Sequence, residues 1–186
     1  MKNVYEVCPS FESETYVIRQ LERKDGNDLL AIYSDKNAVP FFNSDNCHGD
    51  DFYYTTKERV DQAIDFWEEA YSKGWFVRWS VVDKQKDTVI GTIEVFHRDA
   101  EDYFTNMGLV RLDLRSDYEK KACIVEIMQL VENDFFDLFY CEKLATKGFP
   151  NSAERIEALK ELGWQKSDEP LVGSYDKYFD YWEKLE

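Results

Sequence analysis

The sequence predicts one α/β domain over residues 1–186, of the α+β kind, with a mixed, mostly antiparallel twisted sheet flanked by helices. Three observations lead there. A chain of 186 residues builds one full core rather than two. Its middle reads as three successive strands joined by polar turns, an antiparallel meander. A long apolar helix then leads into another short strand, the pattern of a β-α-β crossover.

Residues 15–21 (TYVIRQL) read as the first strand. Asp25, with Asp28 three positions on, is an N-cap signal for a short helix carrying Leu29, Leu30, Ile32 and Tyr33. From Asn37 to Thr56, Pro40, Gly49, clustered Asn and Asp and several aromatics spell a long loop, and such loops in compact domains are functional or mobile. Over residues 57–72, Val60, Ala63, Ile64, Trp67 and Tyr71 recur at helical spacing with acids opposite, and Gly74 ends the helix. Residues 76–82 and 88–96 form a hairpin across the turn DKQKD. In residues 108–114, Val110, Leu112 and Leu114 alternate with Arg111, Asp113 and Arg115, the period of a half-buried strand. One helix is expected over residues 120–139, apolar around most of its circumference and buried against the sheet. Residues 143–147 make a short strand. Asn151 with Glu154 is a capping-box signature for a last helix that turns Ile156, Leu159 and Leu162 inward and stops at Gly163. Trp164 and residues 174–182 read as final strands.

Composition excludes several functions. A net charge of −15 leaves no Lys/Arg surplus for a nucleic-acid backbone or an anionic membrane surface. No window approaches the roughly 18 apolar residues of a membrane span, and the acidic opening MKNVYEVCPSFESETY lacks the apolar core of a signal peptide. Cys8, Cys47, Cys123 and Cys141 form no C-x-x-C pair, which suits reduced thiols in a cytoplasmic protein. His48 and His97 are the only histidines, and the adjacent Cys47-His48 is poor spacing for one metal, so no metal site is expected.

Four segments resemble the RimJ/RimL-type branch of the GNAT N-acetyltransferases. YVIRQLERKDGNDLLAIYSD resembles that branch's first strand and helix, and TVIGTIEVF its "hIGxhxh" strand, h being apolar. LDLRSDYEKKACIVEIM resembles the strand-loop-helix that cradles the coenzyme, and NSAERIEALKELGW the closing "NxxSxxhhexhGF" segment. The match runs through nearly the whole chain in order and spacing. It implies the acyl-CoA-binding fold, acetyl-CoA as co-substrate and a small-molecule or peptide amine as acceptor. The backbone of Leu112, Asp113 and Leu114 would align the pantetheine. The turn Glu119, Lys120, Lys121, Ala122, Cys123 and Ile124, at a helix start whose amides and dipole attract anions, would hold the pyrophosphate, with Asn151 and Ser152 near the coenzyme.

The turn departs from the family's Q/R-x-x-G-x-G/A at all three signature positions: Glu119 replaces a cation or amide, Ala122 a glycine and Ile124 a small residue. A carboxylate about 5 Å from a phosphate opposes it by roughly 3 kcal/mol at an effective dielectric near 20. Lys120 and Lys121 stand open as an anion-holding pair or as two solvated lysines.

Transfer to an amine needs a route for the amine proton. Glu94, between Ile93 and Val95, is the candidate base with a raised pKa, against the alternative of a solvent-facing acid. The family's tyrosine acid aligns with Leu159. Asn151 and Ser152 also read as helix caps and Cys123 as a packing residue, while the resemblance implies that His48, Tyr53 and Tyr54 border the acceptor, against the alternative of structural roles. Three readings stand: an acetyl-CoA-dependent N-acetyltransferase acting by direct attack, a GNAT-like binding or regulatory module without catalysis, and an oligomerisation domain using the aromatic C-terminal strand. A homodimer fits the last. The acidic surface points to a cationic or amine-bearing acceptor.

Overall fold

The computed structural model describes residues 3–186. Strands β1 (Phe11–Glu12) and β2 (Tyr16–Gln20) precede helices α1 (Gly26–Tyr33) and α2 (Lys57–Ser72). The meander β3 (Val77–Asp83), β4 (Thr88–Arg98) and β5 (Met107–Leu114) follows, then α3 (Lys121–Gln129), α4 (Glu132–Leu138), β6 (Lys143–Lys147) and α5 (Ala153–Glu161). Four short strands close the chain: β7 (Gln165–Lys166), β8 (Leu171–Val172), β9 (Lys177–Tyr178) and β10 (Tyr181–Leu185).

Eight strands form one sheet in the order β1-β2-β3-β4-β5-β6-β10-β7, and β8 pairs with β9. Every pairing is antiparallel except β5 with β6, the crossover the sequence predicts. Helices α3, α4 and α5 cover one face, where Ile124, Ile127, Phe135 and Leu159 join Trp79, Ile93 and Val110 in the largest core cluster. On the other face, α1 and α2 enclose Ile32, Tyr33, Ile64 and Trp67, while Phe104, Leu109, Leu171 and Tyr181 form a separate cluster.

Three local expectations change. The long helix is two helices, because Val131 leaves helical geometry (φ −126°, ψ −30°). The new direction carries the buried carboxylate of Glu132 onto Trp164 Nε1 (3.0 Å) and the Lys184 ammonium, partners that a buried acid requires. Asp25 occupies the N-cap position of α1 as expected, but its side chain makes no capping bond and Asp28 does not complete a capping box. Asp25 instead accepts the Glu22 amide and pairs with Arg19 at 2.7 Å, and Asp28 accepts the Val89 amide at 2.9 Å. The Asn151–Glu154 capping box is also absent: Ser152 occupies the N-cap position of α5 and its hydroxyl donates to the Phe149 carbonyl.

The aromatic C-terminal strand is interior to its own sheet. β10 lies between β6 and β7, which pairs with Trp182 and Glu183, and Tyr181 and Trp182 are buried, so the aromatic part of the strand is taken up within its own sheet.

Candidate functional site

The pleat places alternate residues of neighbouring strands on one face. Here it makes a row of charge. Arg78 of β3 lies opposite Glu94 of β4, and Glu94 lies opposite Arg111 of β5. One guanidinium bonds each carboxylate oxygen: Arg78 binds Oε2, and Arg111 binds Oε1 at 2.7 Å. The adjacent row holds Ser80, Thr92 and Asp113. Asp113 accepts from Tyr33 at 3.0 Å, and Tyr33 accepts from Arg78 at 2.7 Å.

Both faces of β5 are therefore covered, and its expected polar face is a buried network. Glu94 differs from its expected role too. Burial works to raise its pKa, but the charges and hydrogen bonds of Arg78 and Arg111 outweigh burial and hold it below the ordinary carboxylate range. A carboxylate with both oxygens occupied by guanidinium is a poor proton acceptor. Asp113 goes the other way: burial raises its pKa against the opposing pull of Arg78 and the Tyr33 hydrogen bond.

Arg78, Glu94 and Arg111 form the inner end of a cavity of about 350 Å³. Its walls come from the long loop (Cys47, His48, Asp50, Phe52, Tyr54) and from α2 (Arg59, Phe66, Trp67). The guanidinium of Arg78 lies 4.2 Å from the Trp67 ring centre and that of Arg59 lies 4.1 Å from Tyr54, so both flat cations are stacked on aromatic walls. Loop backbone at Asn46, His48 and Phe52 adopts positive φ, a shape held by local bonds such as Asp50 to the Phe52 amide. His48 and Tyr54 thus border this cavity; Tyr53 is not among its lining residues.

A second region lies where β5 and β6 part. Their pairing stops at Val110 and Thr146, while β5 continues to Leu114. Arg155 of α5 enters there. Its Nη1 donates to the Leu112 carbonyl at 2.8 Å, and its Nε and Nη2 each bond a Glu119 oxygen at 2.7 Å. Both residues are buried. Glu119 is therefore not a free anion at the turn, and the repulsion expected from it is neutralised within the protein. At the start of α3, the Lys121 amide donates to the Glu154 carboxylate at 2.7 Å, and the Lys121 ammonium pairs with Glu161 at 2.6 Å.

Of the other predicted positions, Lys120 is the N-cap residue of α3 and Ala122 is exposed, while Ile124 is buried in the core and half-buried Cys123 packs against it. Asn151 is exposed, and Asp113 turns into the charge network rather than toward the gap. Leu159 is buried among apolar side chains. Sequence reasoning passed over Arg78 and Arg155. Arg78 lies inside an apolar stretch (FVRWSVV), which was an available signal, whereas Arg155 lies in the mixed segment SAERIEAL, which carries none.

Residues 16–165 match the family model described as the acetyltransferase (GNAT) domain. The chain belongs to the GNAT acetyltransferase family. Solved structures with the GNAT fold align along nearly its whole length. Ribosomal-protein-S5-alanine acetyltransferase from Vibrio fischeri is 19% identical, with 95% of this chain and 96% of that one covered and a TM-score of 0.66. RimL, the ribosomal L7/L12 α-N-protein acetyltransferase solved with coenzyme A, is 8% identical, with 95% and 98% covered and a TM-score of 0.69. Spermidine N-acetyltransferase from Vibrio cholerae, solved with CoA and spermine, is 13% identical, with 93% and 96% covered and a TM-score of 0.66. No curated protein matches the chain. Among the described residues, no helix of this GNAT chain is long and apolar enough to cross a membrane.

Proposed function

We propose that this GNAT-family chain is a small-molecule-binding module whose coenzyme cleft is held shut by its own side chains. One observation carries the reading: the buried Arg155 guanidinium, bonded at once to the Leu112 carbonyl and to both oxygens of Glu119. An acyl-CoA would need the edge of β5 for its pantetheine and free amides at the start of α3 for its pyrophosphate. Arg155 takes the first at Leu112, and Glu154 takes the Lys121 amide. The two pairings oppose coenzyme A at the Leu112 carbonyl and the Lys121 amide. Glu94, doubly paired, and the apolar Leu159 also leave the expected base and acid positions without a group to move the amine proton. The four cysteines, all free, support a reducing, cytoplasmic setting.

Calorimetry with acetyl-CoA tests the reading. The native protein is expected to show no binding at millimolar coenzyme, and the double variant Glu119→Gln, Arg155→Ser to gain it. Micromolar binding by the native protein would overturn the closed cleft.

A second reading, transfer of acetyl from acetyl-CoA to an amine acceptor, is favoured by the parting of β5 from β6 beyond Val110 and Thr146. It requires the native chain to bind coenzyme and an amine screen to yield acetylated product. The relatives named for ribosomal proteins and for spermidine suggest protein amines and polyamines as acceptors to try.

A further inference from the structure

The cavity is balanced in charge although the chain, at −15, is not. Arg59, Arg78 and Arg111 meet Asp50, Glu94 and Asp113 there, so each cation has a carboxylate. Arg59 pairs with Asp50 at 2.6 Å, Arg78 with Glu94 and with Asp113 at 3.4 Å, and Arg111 with Glu94 at 2.7 Å. The polar atoms left over, Nε of Arg78 and of Arg111 and one Asp113 oxygen, are buried out of a ligand's reach. The flat faces of the cations are also met from within, since Trp67 and Phe52 lie 4.2 and 5.6 Å from the Arg78 guanidinium. An ion entering this cavity would lose water without gaining an opposite charge.

What the walls offer instead is ring surface. Phe52, Tyr54, Trp67 and Phe76 line the cavity, and Phe66, another lining residue, is 50% exposed. Phe66 lies 6.0 Å from Phe76 and 6.4 Å from Trp75, itself 51% exposed, so aromatic surface runs from the cavity out to solvent. It stops there. The Lys73 ammonium sits over the Trp75 ring at 4.6 Å, and Asp65, Glu68 and Glu69 of α2 are exposed. Apolar surface so confined suits a small molecule, whereas a stable protein interface takes about 800 Å² per partner. An apolar cavity of about 150 Å³ holds benzene. This one, at about 350 Å³, has room for two fused rings.

We infer that this cavity takes an uncharged aromatic molecule with two fused rings, held among Phe52, Trp67 and Phe76 with its outer edge on Phe66. The inference rests on the reading of the chain as a small-molecule-binding module, and it names the ligand class. It sets aside the cationic acceptor suggested by net charge, because the surplus acids lie outside the cavity.

Tryptophol, indole-3-acetate and tryptamine share one ring system and differ in charge. Each is titrated by calorimetry into the full chain at pH 8, where carboxylates are ionised and alkylamines protonated. Tryptophol is expected to bind at least about tenfold tighter than either ion, since burying an unpaired charge is costly. Phe66→Ala, at an exposed position, should weaken tryptophol binding several-fold. Two rim variants unbalance the charge: Asp50→Asn should narrow the gap for indole-3-acetate, and Arg59→Gln the gap for tryptamine. Circular dichroism confirms that all three variants remain folded. Equal or tighter binding of either ion, unchanged binding by Phe66→Ala, or no binding of any probe at millimolar concentration would overturn the inference. The acetyl-CoA titration stays separate. A native protein that binds tryptophol and coenzyme loses the closed-cleft reading and keeps this one, and one that binds neither does the reverse.

Discussion

Two buried arginine clusters sit on opposite faces of β5, and they are finished differently. At Arg155 each terminal nitrogen has an acceptor, Glu119 supplies both of its oxygens, and the Leu112 carbonyl completes the set. At Arg78 and Arg111 the carboxylate is shared, both Nε donors lack partners among the described residues, and a cavity opens beside the cluster. The first arrangement has nothing left to offer a ligand. The second keeps unpaired polar atoms on both sides of the charge, the two Nε donors and one Asp113 oxygen, and has a cavity beside it. Counting partners therefore separates a plug from a pocket, even though both are made of arginine and glutamate.

The largest expected effect breaks the plug. Arg155→Met leaves the Glu119 carboxylate buried without its cation and should cost about 3–5 kcal/mol, read from urea unfolding at pH 7. Adding Glu119→Leu should recover most of the loss, because apolar replacement of a whole buried pair is often neutral or stabilising. A double variant as unstable as the single one would show that Arg155 acts through packing and not through its charge.

The network at the cavity should be more forgiving. Glu94→Gln is expected to cost about 2 kcal/mol, since Arg78 retains Tyr33 and Asp113, and Arg111 retains the Asp45 carbonyl at 2.9 Å. This cost depends on pH with a definite sign. The pKa of folded Glu94 is lowered, so its contribution is complete above the ordinary carboxylate value, about 4.3, and is lost as pH falls through the lower folded value. The stability gap between native and Glu94→Gln should therefore narrow from pH 7 to pH 3. A constant gap would remove charge as the cause. Asp113, with a raised folded pKa, acts oppositely: its contribution is present at low pH and is lost as pH climbs from its ordinary value through the folded one.

The smallest effect sharpens the contrast between plug and cap. Glu154 is exposed and bonds the Lys121 amide from outside, so Glu154→Gln should cost only about 0.5 kcal/mol in the same unfolding experiment. A loss near that of Arg155→Met would make Glu154 part of the plug.

Much of the architecture was legible because it follows from local pattern. The helical spacing of Val60, Ala63, Ile64 and Trp67 gave α2 at its observed bounds, Lys57–Ser72, and Gly74 ends it at φ +70°. The meander, the crossover and the strand Lys143–Lys147 followed from apolar runs between polar turns. Local pattern failed where a polar side chain has a distant partner. The alternation in β5 correctly put Arg111 and Asp113 on one face, but period two cannot tell water from a second layer on that face. Glu94 lay in an apolar strand, and its role depended on Arg78 and Arg111 lying directly opposite it, which strand register decides. Arg155 meets Glu119 across 36 positions of chain, and Glu154, a capping residue by its spacing, serves another helix. The sequence by itself determined which segments are helix or strand, because backbone preference and hydrophobic period act over a few residues. Tertiary structure alone decided which charges neutralise each other and which donors remain, because those pairings exist only after the strands have chosen their neighbours.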